Sequence, residues 1–134
     1  MGEILESGWM KAFLDTHAAV LLYEGERKAF GRAAADLAEN AALFLAPMVE
    51  LELEFLSEIG RLTVAPDEIV RGLSQDWGVV VANDPMRAIV TKARACTWTH
   101  DPFDRLIVAT AQLHRAPLIA RDRLIHEHFE DAVW

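Results

Sequence analysis

The sequence predicts an α/β domain with a mainly parallel sheet covered by helices. Two observations carry that reading. Short apolar runs alternate along the chain with longer stretches of helical period, the rhythm of strand and crossover-helix units. The connections are short clusters holding Gly, Pro, Asn or Asp, and no internal repeat interrupts the pattern. A chain of 134 residues has the size of one such domain.

The elements alternate from the first strand onward. An apolar run at Ala12–Leu14 reads as a strand, and residues 18–40 carry a helical period. Leu43–Ala46 is the second strand, continued by a helix from Pro47 to Ile59. Asp67 to Trp77 reads as a helix, Val79–Ala82 as a strand and Pro85 to Cys96 as a helix. Pro102 to His114 is another helix, Leu118–Ala120 a strand, and Leu124 to Phe129 a last short helix. The periodic pattern begins near Met10, so residues 1–9 are set aside as an extension and 10–134 are taken as the single domain.

Composition excludes several classes. Hydrophobic residues at 52% with 25% charged describe a packed globule rather than a disordered chain. A net charge of −8 argues against holding nucleic acid by bulk positive charge, so such a partner must be gripped locally. The lone Cys96 makes neither an internal disulfide nor a thiolate cluster. With no membrane-length apolar run and no signal-like N-terminus, a cytoplasmic location away from membranes is the expectation.

Sheets of this kind bind ligands beyond the carboxyl ends of their strands, which directs attention to the residue closing each apolar run. Two runs stop at an aspartate, Phe13-Leu14-Asp15 and Leu118-Ile119-Ala120-Arg121-Asp122. Capping of the next helix is the plain explanation for each. In His100-Asp101-Pro102-Phe103-Asp104, Asp101 suits an N-cap and Pro102 the first helical position. Capping explains Asp104 less well, because Ile107, Val108 and Ala111 make its side of the helix apolar.

Glu52 is the most informative acid. In a helix, Glu50, Glu54 and Glu58 gather on one side while Met48, Val49, Phe55, Leu56 and Ile59 surround Glu52 on the other. Residues 50–55 also alternate strictly enough for a strand, which would put Glu52 in water with its neighbours. Pro47 as a helix starter, with Leu56 and Ile59 continuing the stripe, favours the helix. Asp15, Glu52, Asp104 and Asp122, with Asp101 nearby, would then meet at one edge of the sheet. Carboxylates so crowded raise one another's pKa, and a divalent cation relieves the repulsion. Oxygen ligands without His or Cys select Mg²⁺ or Mn²⁺, metals that serve phosphoryl chemistry.

These stretches resemble the PIN-domain ribonucleases, and among them VapC-like toxins of toxin–antitoxin pairs. The match lies in Phe13-Leu14-Asp15-Thr16-His17-Ala18, Glu52 with Gly60-Arg61-Leu62, Asp101-Pro102-Phe103-Asp104-Arg105-Leu106-Ile107 and Leu118-Ile119-Ala120-Arg121-Asp122. The resemblance implies a PIN-like three-layer sandwich and a metal site made by Asp15, Glu52, Asp104 and Asp122 with Asp101 close by. It also implies metal-assisted RNA hydrolysis, a homodimer and inhibition by an antitoxin. Two positions depart from the family: Ala120 stands where many relatives carry Thr or Ser, and His100 where Arg is frequent.

Other residues have plainer competing roles. Arg105, Arg121 and Arg123 lie in a locally basic stretch and are candidate phosphate contacts, with solvated arginines as the competing reading. His126 and His128 point too far apart on a helix to share zinc. Trp9, Trp77, Trp98 and Trp134 read as core or interface anchors rather than base-stacking platforms. Two further function classes stand beside the nuclease: a binding-only PIN relative, and an acidic-pocket phosphatase or receiver domain. The second fits poorly, because the residue two positions after Asp15 is His17 rather than a second acid.

Overall fold

A computed structural model of the chain describes residues 9–134. Most of the extension expected at residues 1–9 lies outside the described residues, while Trp9 packs against the main core. The five strands are β1 (Lys11–Leu14), β2 (Ala42–Leu45), β3 (Val80–Val81), β4 (Leu118–Ile119) and β5 (Ala132–Val133). They form one all-parallel sheet in the order β3-β2-β1-β4-β5. Seven α-helices flank it among the described residues: α1 (Thr16–Glu24), α2 (Arg32–Asn40), α3 (Pro47–Glu58), α4 (Pro66–Trp77), α5 (Met86–Ala93), α6 (Pro102–Leu113) and α7 (Arg123–His128). This is the three-layer α/β sandwich that the sequence predicts.

The sheet's order fixes where a site can form. From β1 the chain steps to β2 and then β3 on one side, and returns past β1 to β4 on the other. The carboxyl ends of β1 and β4 therefore flank the topological switch point, where loops diverge and leave a crevice. Below it lies the core, with Phe13, Leu14, Leu45, Leu118 and Ile119 fully buried in the strands and Leu53, Leu73, Ile107 and Val108 in the helices. Strands buried on both faces read as continuous apolar runs, which makes them visible in the sequence.

Three expectations need correction. The helical stretch at 18–40 is two helices separated by a 3₁₀ turn at Arg27–Ala29. Gly25 adopts φ 75° as the left-handed cap of α1, a conformation that ends a helix and suits glycine. β5 has no counterpart among the expected elements. Finally, α3 is the helix that Pro47 favours, but Phe55 and Ile59 are 44% and 49% exposed. Only Val49 and Leu53 are buried on this helix, which touches the core along a narrow seam, while Phe55 lies against the Phe103 ring with centroids 5.7 Å apart.

Candidate active site

Three helix N-termini and one helix flank bring acids to the switch point. Asp15 succeeds β1, ties its backbone N–H to the Ile119 carbonyl of β4 (3.1 Å) and caps α1 by accepting from the Ala18 N–H (2.8 Å). Asp122 lies just beyond β4 and caps α7, accepting from the Ile125 N–H at 3.0 Å. Asp101 caps α6, accepting from the N–H groups of Phe103 and Asp104 at 2.8 and 3.2 Å. In all three, capping uses Oδ1, and Oδ2 has no hydrogen bond among the described residues. Capping and ligand binding are therefore compatible roles for the same carboxylate.

Asp104 and Glu52 arrive differently. Asp104 sits in the first turn of α6, half-buried above the fully buried Ile107, Val108 and Ala111, and its carboxylate has no hydrogen-bond or ion-pair partner among the described residues. Glu52, also half-buried, accepts a 2.5 Å hydrogen bond from the buried Thr16 hydroxyl. All five acids line one cleft of about 640 Å³, together with Thr16, His17, Arg61 and Arg121. No cation forms an ion pair with any of the five among the described residues.

The electrostatics arise from burial first and from that crowding second. Asp15 is raised to about 7, first by burial and then by the charges of Asp104, Glu52 and Asp122, against the lowering effect of the Ala18 N–H. Asp104 is also raised to about 7, by burial and then by Asp101, Asp122 and Glu52. Burial and Asp101 raise Glu52, while the Thr16 hydroxyl pulls it down. Beyond burial, the acids raise one another, so the cleft behaves as one coupled cluster.

The three candidate arginines take different places. Arg121 lines the cleft and lies 2.9 Å from the His17 ring. Arg105 is not among the lining residues; its guanidinium donates to the carbonyls of Ala93 and Arg94 and clamps the end of α5. Arg123 pairs with Glu127 in solvent at 3.0 Å and also stands off the lining. Sequence reasoning misses Thr16, His17 and Arg61 as lining residues, although all three fall inside the family-like motifs.

At the departing positions, the Ala120 carbonyl accepts from the His126 ring at 2.5 Å, and His100 is exposed off the cleft lining. His128 stacks on Trp98 with ring centroids 5.3 Å apart, so the two histidines of α7 serve different neighbours. The donor chemistry fits a hard divalent cation: carboxylate oxygens without ion-pair partners among the described residues, with Asp15, Glu52 and Asp104 raised by burial and then by the charge of neighbouring acids. Among the described residues, no three acid, histidine or cysteine side chains are gathered closely enough to hold a metal ion.

A parallel α/β sandwich with clustered carboxylates at its switch point is the class of protein that fold and site define. Within that class, the chain belongs to the PIN-domain family, whose model matches residues 12–128. PIN domains are generally nucleases that use divalent metals. Similar solved structures include a toxin–antitoxin complex from Klebsiella pneumoniae, 21% identical with a TM-score of 0.62 over 92% of this chain and 96% of that one. VapBC2 from Rickettsia felis, bound to a promoter DNA fragment, is 12% identical with a TM-score of 0.63 over 92% and 96%. VapBC-1 from nontypeable Haemophilus influenzae is 20% identical with a TM-score of 0.56 over 93% and 96%. These likenesses establish the shared fold. No curated protein sequence matches the chain.

Proposed function

We propose that the chain is a metal-dependent endoribonuclease and the toxin of a toxin–antitoxin pair. The observation that carries this reading is the cleft of five carboxylates, none of them in an ion pair among the described residues. Asp15, Glu52, Asp104 and Asp122 would hold Mg²⁺ or Mn²⁺, with Asp101 close by. Such an ion supplies Lewis-acid activation of water and neutralises charge developing at phosphorus. The chain's own acids do the rest. Asp15 and Asp104 release protons near neutral pH when a cation displaces them, and Thr16 holds Glu52 in one orientation. Helix capping fixes Asp15, Asp101 and Asp122 on the backbone, which leaves Asp104 as the acid that no hydrogen bond holds among the described residues.

RNA as substrate and an antitoxin as partner rest on the family resemblance and on the toxin–antitoxin complexes among the structural neighbours. A homodimer and a cytoplasmic location belong to the same reading. No helix among the described residues is long and apolar enough to cross a membrane. Purified protein should cut cellular RNA with Mg²⁺ or Mn²⁺ and not with EDTA, and Asp104→Asn should abolish cutting while the fold persists. Cutting in EDTA, or undiminished cutting by Asp104→Asn, overturns the proposal.

One observation favours a second reading, a binding-only PIN relative: the acids line the cleft without three of them closing on one point. Calorimetry with Mn²⁺ separates the two. Uptake supports the nuclease, and its absence supports the binding-only relative.

A further inference from the structure

Arg61 and Arg121 are the arginines that line the acid cleft, whereas Arg27, Arg105 and Arg123 have their charge or their donors engaged elsewhere. Arg27 stacks on the Trp77 ring at 5.0 Å and pairs with Glu39 at 3.3 Å. Arg123 pairs with Glu127, and Arg105 is bound to backbone carbonyls. Arg121 differs. It sits between Ala120 and the carboxylate of Asp122 at the rim of the acid cleft, yet pairs with no carboxylate among the described residues. Its Nη2 donates to His17 Nε2 at 2.9 Å, and its guanidinium lies over the Trp134 ring, 5.6 Å from the centroid. Both partners are uncharged in this arrangement, since an imidazole nitrogen that accepts carries no proton.

The brace is itself built in. Trp134 stacks on Phe30 with centroids 5.0 Å apart, and the Ala120 N–H binds the Val133 carbonyl at 3.0 Å, which sets the tryptophan beside Arg121. Gly31 lets the chain pass against it: a Cβ there would fall 2.5 Å from the Trp134 carbonyl carbon. Neutral supports hold the guanidinium in place while leaving its charge uncompensated and most of its five donors open. That combination suits a planar, bidentate grip on a phosphate, with the ordering of a flexible side chain already in place.

We propose that Arg121, braced by the His17 imidazole and the Trp134 indole at the cleft rim, grips a backbone phosphate of the RNA substrate, and that Trp134 is its positioning residue. The inference rests on the nuclease reading and adds the element that lets an acidic protein hold a polyanion. It is tested by fluorescence anisotropy with a fluorescein-labelled, mixed-sequence single-stranded RNA of about twenty nucleotides. The protein carries Asp104→Asn to prevent cutting, and KCl is varied in the presence of Mg²⁺. Adding Arg121→Ala should weaken binding about tenfold and lower the salt slope by about 0.7, the value for one phosphate on a single strand. Adding Trp134→Ala should weaken binding about threefold with the slope unchanged, because the charge remains but its placement is lost, and Trp134→Phe should restore it. Unchanged affinity and slope on adding Arg121→Ala overturn the inference. Absence of binding by the Asp104→Asn protein overturns it too, and cutting of cellular RNA by the wild-type protein then decides whether the nuclease reading survives.

Discussion

The Thr16 hydroxyl donates a 2.5 Å hydrogen bond to Glu52, joining the first residue of α1 to the middle of α3 across the floor of the acid cleft. Thr16 is 4% exposed, so water cannot easily replace it. Thr16→Val keeps the shape and removes the donor. Stability should fall by about 1 kcal/mol in a urea melt. Affinity for Mn²⁺ should drop about tenfold in calorimetry, the usual scale for a group that orients a ligand. Unaltered Mn²⁺ affinity would show that Glu52 needs no orientation from Thr16.

The raised carboxyls make stability depend on pH with a definite sign. Asp15 and Asp104 stand near 7 in the folded chain against 3.8 as the ordinary value, so the fold binds their protons more tightly than the unfolded chain does. Below about pH 3 both states are largely protonated and the two groups contribute next to nothing. As pH rises to about 7 their contribution turns unfavourable, and it levels off above that. Asp104→Asn removes one charge from the cluster. In EDTA the variant should match the wild type at about pH 3 and melt about 3 °C higher at about pH 8, or about 1 kcal/mol once screening of a half-buried group is allowed for. Melting curves that track each other across that range would dispose of the repulsion account.

Gly31 and Trp134 approach closely enough that any side chain at 31 must displace something. A Cβ would meet the Trp134 carbonyl carbon at 2.5 Å and its oxygen at 2.7 Å, and backbone atoms do not swing aside as a side-chain tip would. Gly31→Ala should cost about 2 kcal/mol by denaturant melting, as overpacking does. Tryptophan fluorescence should also report a loosened Trp134. Gly25→Ala offers a contrast: nothing lies near its Cβ, and its cost arises from the left-handed backbone alone.

The parts of this molecule that sequence reveals are those with a local cause. Strand runs ending at Asp15 and shortly before Asp122 locate the acid-lined edge, because parallel strands are apolar throughout and their loops carry the polar groups. Asp104 betrays itself on an apolar stripe, as Glu52 does. β5 escapes notice because two residues, Ala132 and Val133, are too few to show a period, and what makes them a strand is pairing with Leu118 and Ile119. Thr16, His17 and Arg61 line the cleft and fall inside the family-like motifs, but none carries the charge-on-an-apolar-stripe signal that marks Asp104. Phe55 and Ile59 look buried on a helical wheel, but a wheel cannot show how narrow a strip of the helix the core covers.

Away from the cleft, His114 joins three separate segments of the chain. Its Nδ1 lies 3.3 Å from the Lys11 ammonium at the start of β1, and its Nε2 lies 2.7 Å from Asp84 in the loop after β3. An ammonium only donates, so Nδ1 accepts, Nε2 carries the proton and donates to Asp84, and the ring is neutral in this arrangement. The ring also packs on Phe13 with centroids 5.0 Å apart. His114→Phe retains the packing and deletes both hydrogen bonds, leaving an ammonium and a carboxylate without their bridge where the side chain of Asp84 is only 19% exposed. Stability should fall by about 2 kcal/mol. His114→Gln, which can still donate to Asp84, should recover part of the loss in the same denaturant melts. Equal losses in the two variants would mean that shape, and not the relay of polar groups, is what position 114 supplies.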